Sequence, residues 1–94
     1  MSTREQAHEL LDLCFDINGM DVRLQEATGD LPTTFFWFSG HVANIRIFVY
    51  EKGWETTCSA DKEFNLAVGD GNHFGRDKFE DIKEYLLDIK KKTV

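Results

Sequence analysis

From Thr34 to Trp54 the chain reads TFFWFSGHVANIRIFVYEKGW, and seven of these residues are aromatic. Phe35 and Trp37 alternate with Phe36 and Phe38, so rings fall on both faces of an extended strand. A strand with one wet face alternates apolar with polar residues. This stretch therefore asks for a sheet with apolar surface on both sides. One layer of helices covers only one of them. The other side keeps aromatic surface available for a partner.

The rest of the chain supplies the remaining layers. Ser2 and Thr3 each open a capping box, to Glu5 and Gln6. Ala7, Leu10, Leu11, Cys14 and Phe15 then recur at helical spacing, which predicts an amphipathic helix stopped by Asn18-Gly19. The period switches to two at Met20, Val22 and Leu24, which predicts a first strand, followed by a turn at Thr28-Gly29-Asp30. Pro32 stands before a second strand, Thr33 to Phe38, and Ser39-Gly40-His41 turns the chain.

Ala43 to Glu51 is the third predicted strand. Ala43, Ile45, Ile47 and Val49 form its aliphatic, largely β-branched face, placed against the helices; Asn44, Arg46, Phe48 and Tyr50 form the other. Lys52-Gly53 closes a hairpin into a fourth strand, Trp54 to Ser59. Phe64, Leu66 and Val68 read as a short fifth strand or as an extended cover. After the glycine-rich loop 69–75, Asp77 and Glu80 form a capping box for a second helix with the stripe Phe79, Ile82, Leu86 and Ile89. The expectation is one α+β domain over residues 1–94. Its order is α-β-β-β-β-α, a four-stranded antiparallel meander with N- and C-terminal helices packed on one face.

Charge narrows the partners. The net charge is −6, a field that repels phosphates and disfavours direct nucleic-acid binding. The excess lies at the N-terminal end, where residues 1–26 hold six acids against two bases. Glu5, Glu9, Asp12 and Asp16, spaced four, three and four, fall on one helix face. They rise about 4.5–6 Å from one to the next, a spacing that can imitate a phosphate row. The same stripe also reads as an ordinary solvated face. No apolar run reaches the length of a membrane span, and no secretory signal opens the chain. A cytoplasmic setting with Cys14 and Cys58 as free thiols is expected.

Chemistry has few footholds. Cys14 and Cys58 are not in a CxxC, and His8, His41 and His73 show no zinc spacing. Asp70, Asn72 and Gly75 match three positions of a calcium loop, but Phe74 has no ligand oxygen and Asp81 stands in place of the bidentate Glu. Phosphate-binding and nucleophile-elbow motifs are absent from the sequence. No catalytic residues, metal or cofactor are assigned.

Two resemblances add context. The helix–meander–helix order is similar to the double-stranded RNA-binding domain, but Arg76-Asp77-Lys78-Phe79-Glu80-Asp81 lacks that family's basic helix start, so its function does not carry over. Phe38-Ser39-Gly40-His41-Val42 with Val49-Tyr50-Glu51-Lys52-Gly53-Trp54 resembles a segment of small uncharacterised phage and prophage proteins of Gram-positive bacteria. That resemblance implies a phage-encoded accessory protein. In size and charge the chain is also similar to anti-CRISPR proteins.

The functional expectation is a non-catalytic acidic protein-binding module for a protein with a basic surface, such as a host nucleic-acid-handling protein. Glu5, Glu9, Asp12 and Asp16 would supply charge; Arg46, Phe48 and Tyr50 would supply contact area. The alternatives are a homodimer through the sheet face with a structural or assembly role, and a small hydrolase using Asp, Glu and His.

Overall fold

A computed structural model describes residues 2–20, 22, 29, 31–41, 43–56, 58–68 and 76–93. The element order is α1 (Thr3–Asn18), β1 (Thr33–Ser39), β2 (Asn44–Tyr50), β3 (Lys62–Ala67) and α2 (Phe79–Thr93). The fold is α+β, with two helices and a three-stranded antiparallel sheet in the order β1-β2-β3.

Local chemistry sets α1. Ser2 Oγ accepts the Glu5 N–H, and Glu5 Oε1 accepts the Ser2 N–H, both at 3.1 Å. This is the Ser2 box of the sequence; Thr3 is already helical. Gly19 ends the helix at φ +72°, and its N–H donates to the Phe15 carbonyl at 2.8 Å. The buried stripe is Leu10, Leu13, Cys14 and Ile17. Phe15, expected in that stripe, is 48% exposed, because it lies one residue outside the face that meets α2 and the sheet.

The sheet has three strands among the described residues, not four. The described residues of the predicted strand Trp54–Ser59, which are 54–56, 58 and 59, are not in a strand. Their groups find local partners instead. Gly53 N–H donates to the Tyr50 carbonyl, Cys58 N–H to the Glu55 carbonyl, and Cys58 Sγ accepts the Glu55 N–H at 3.1 Å. Such local bonds compete directly with a strand ladder. Asp61 then closes the excursion: its Oδ2 accepts the Glu51 N–H at 2.7 Å, and its own N–H donates to the Val49 carbonyl. The chain re-enters the sheet at Lys62, opposite Val49. The segment read as an optional fifth strand is therefore the third, β3. The predicted strand beginning at Met20 lies outside the described residues apart from Met20 and Val22, which are not in a strand. The loop 69–75 also lies outside them.

Ile45, Ile47 and Val49 of β2 and Phe64 and Leu66 of β3 are buried against Leu10, Leu13, Cys14 and Ile17 of α1 and Phe79, Ile82, Leu86 and Ile89 of α2. Both helices thus cover one face of the sheet. Ala43, predicted to share that strand face, sits instead in the turn at φ +48°. Asp77 does not act as a helix cap. Its Oδ2 accepts the Asn65 N–H at 2.8 Å, tying the approach to α2 to the outer edge of β3.

Candidate functional site

The antiparallel register decides which rings meet. Phe35 pairs with Phe48, Trp37 with Arg46 and Thr33 with Tyr50. Paired residues share a face, and Ile47, one residue from Phe48, points to the helices. Phe35, Trp37, Arg46, Phe48 and Tyr50 therefore occupy the face the helices leave uncovered. Two ring groups form there. Trp37 and Phe48 meet edge to face, 5.9 Å apart at 70°. Phe35 contacts Tyr50 at 5.4 Å and Trp54 at 6.1 Å. Both Trp37–Phe48 and Phe35–Tyr50 are diagonal neighbours across β1 and β2, within ring reach in an antiparallel pair.

Packing between rings half-buries Phe35, Phe48, Tyr50 and Trp54, while Trp37 stays 57% exposed and Arg46 is exposed beside it. A guanidinium beside rings with one face free is a composition found at the centres of protein interfaces. The sequence places part of the Phe35–Phe38 run on this face without assigning Phe35 or Trp37 to the contact, and it does not point to Trp54. Alternation placed Phe35 and Trp37 on one strand face, but only the β1–β2 register brings them against Phe48 and Tyr50. Trp54 joins because its segment turns back rather than extending.

The acidic residues fare differently. Glu9 pairs with Lys83 and Asp16 with Lys90, at 3.0 Å for the latter, so two of the four carboxylates join α1 to α2. Glu5 is engaged in the capping box. Hydrogen bonds from the Ser2 backbone and then its hydroxyl hold the Glu5 carboxyl below its ordinary value. Asp12 is exposed and makes no ion pair or hydrogen bond among the described residues. The phosphate-like row read from sequence reduces to Glu5, exposed and still ionised, and Asp12, with the charges of Glu9 and Asp16 offset by lysines.

Chemistry-bearing groups are dispersed. Cys14 is buried in the core, and burial pushes its thiol up to about 11. Cys58 is half-buried, its Sγ donating to the Glu55 carbonyl at 3.0 Å. His8 and His41 are exposed; His73 lies outside the described residues. Among the described residues no group of three or more His, Cys, Asp or Glu is placed to hold a metal. No helix among them is long and apolar enough to cross a membrane. Comparison with protein-family models, curated proteins and solved structures finds no match for this chain.

Proposed function

We propose that this chain is a non-catalytic protein-binding module whose contact surface is the aromatic face of the sheet. The observation that carries the reading is Trp37: more than half exposed, packed on Phe48 and set opposite Arg46. Its neighbours are already ordered by ring contacts, so a partner gains apolar burial with little further loss of side-chain freedom. The net charge of −6 favours a basic partner and raises its encounter rate at low salt. Steering comes from the whole field, with Glu5 and Asp12 as the members of the α1 stripe not offset by lysines.

The test compares partners captured at low and high salt by the wild-type chain and by Trp37→Ala and Arg46→Ala variants. Circular dichroism verifies that each variant is folded. The expected result is a protein retained by the wild type, weakened by salt, and lost from both variants. Retention of the same proteins by Trp37→Ala and Arg46→Ala would overturn the sheet face as the contact.

A further inference from the structure

The two edges of the sheet are treated differently. The outer edge of β3 is occupied: Asn65 N–H donates to Asp77 Oδ2, Asn65 C=O accepts from the Arg76 and Asp77 N–H groups at 2.9 Å, and Arg76 Nη2 donates to the Glu63 carbonyl. On β1 the outer edge is closed at one residue. The Asn18 side chain accepts the Thr34 N–H at 2.7 Å and donates to the Thr34 carbonyl at 2.8 Å, as a neighbouring strand would. Outward groups recur every second residue, so Phe36 and Phe38 present the next ones. Neither makes a hydrogen bond on that side among the described residues.

Edge strands usually carry charges that discourage pairing. This one does not: residues 31–45 contain no Asp, Glu, Lys or Arg. Two copies of a chain with net charge −6 can meet here without placing carboxylates against each other. The edge sequence Phe36-Trp37-Phe38 also reads the same in both directions, which is what a twofold, self-complementary contact requires.

We propose that β1 is a self-association edge, pairing antiparallel with β1 of a second copy about a twofold axis at Trp37. Phe36 then lies opposite Phe38 of the second copy, and each such pair exchanges both backbone hydrogen bonds. The Asn18 clamp selects this register. Centring the axis on Phe36 would set Phe38 against the Thr34 already bonded to Asn18. Centring it on Phe38 would set Phe36 against Gly40 in the turn. Only the Trp37-centred register uses both open residues of both copies.

Phe36 and Phe38 lie on the helix side, where the mouth between α1 and β1 is an apolar groove of about 460 Å³ lined by Ala7, Leu11, Phe36, Phe38, Ala43 and Ile45. It gives Phe38 of the second copy room to pack. Trp37 and Phe38 are 57% and 60% exposed, so each buries roughly 100 Å² or more on pairing. Such a contact falls at the low end of specific interfaces, and the dimer dissociates on dilution. The contact uses the edge of the sheet and the proposed protein-binding surface its face; Trp37 belongs to both, whereas Phe38, on the helix side, belongs to the edge alone.

Sedimentation over a concentration series tests the edge. The wild type should shift from monomer to dimer, and added salt should strengthen the association by screening two like-charged copies. Binding of a basic partner to the sheet face has the opposite salt dependence. Phe38→Pro removes an outward donor that β2 does not use, and should weaken dimerisation at least tenfold while circular dichroism stays unchanged. Should that variant fail to fold, Phe38→Lys places a charge on the same exposed position and should have the same effect.

Cross-linking fixes the register. At the axis, Trp37 faces its own copy in a non-hydrogen-bonded pair with Cα atoms about 4.5 Å apart, within disulfide range. In a Cys58→Ser background, Trp37→Cys should form a covalent dimer on mild oxidation and Phe35→Cys should not. A wild type that stays monomeric up to about 1 mM, a Phe38 variant that dimerises as well as the wild type, or equal cross-linking at positions 35 and 37 would each overturn the proposal.

Discussion

The Asn18 carboxamide binds both backbone groups of Thr34, accepting its N–H at 2.7 Å and donating to its carbonyl at 2.8 Å. The Thr34 hydroxyl adds a third bond, to Asn18 Oδ1 at 3.1 Å. The last residue of α1 thus fixes the first turn of the edge strand, 16 positions later, and Thr34 is only 4% exposed. Asn18→Ala strands a nearly buried backbone pair. It should lower stability by about 3 kcal/mol, at roughly 1 kcal/mol for each of the three lost bonds. Asn18→Asp keeps the acceptor but sets a carboxylate against the Thr34 carbonyl, and should recover little. Urea unfolding of the three proteins measures both effects.

Neighbouring residues on β2 should separate folding from contact. Ile47 is fully buried beneath the helices, so Ile47→Ala should cost about 3–4 kcal/mol through lost burial and a cavity. Phe48, half-buried on the opposite face, loses mainly its contact with Trp37, and Phe48→Ala should cost about 1–2 kcal/mol. Equal losses in chemical denaturation would mean that both faces are interior.

The two thiols should differ in the native state. Cys14 is 3% exposed and its thiol is pushed up to about 11 by burial, so it carries almost no thiolate near pH 8. Cys58 is half-buried in the turn segment. A disulfide reagent at pH 8 should therefore modify Cys58 first and reach Cys14 only on unfolding. In Cys58→Ser the fast phase should disappear, which a timed thiol titration reads directly.

Tyr85 gives stability an alkaline limit. Burial, the neighbouring Glu51 carboxylate, its hydrogen bond and the Asp61 charge together push the phenol up to about 12 from 10.0. Between those values the unfolded chain releases the proton while the folded chain keeps it. Unfolded molecules then bind fewer protons, so stability falls as pH rises. The contribution is complete below pH 10 and is lost between 10 and 12. Tyr85→Phe should flatten the difference over that window, and denaturation midpoints from pH 9 to 12 for both proteins show whether it does.

Where structure was local, it was readable. The Ser2–Glu5 box and Gly19 bracket α1, and Phe79, Ile82, Leu86 and Ile89 are the buried stripe of α2. The division of β2 into Ile45, Ile47 and Val49 on one side and Arg46, Phe48 and Tyr50 on the other follows from its period of two. Trp54–Ser59 misled because its composition suits a strand, while the bonds that defeat it run to Glu55, Tyr50 and, through Asp61, back to Glu51 and Val49. Lys62–Ala67 reads as only an optional strand by its own residues because its partner is β2, beyond the excursion.

The site divides the same way. Phe48, Tyr50 and Arg46 could be assigned to one strand face by counting residues, because alternation is a property of the backbone. That Trp37 lies over Phe48, that Trp54 folds onto Phe35, and that Lys83 and Lys90 claim Glu9 and Asp16 depends on strand register and helix packing. Those relationships join residues far apart in the chain, and their energies exist only after the core has brought the elements together. The sequence by itself determined which residues of each strand share a side; only the folded arrangement decided which side stays open, because two helices can cover just one.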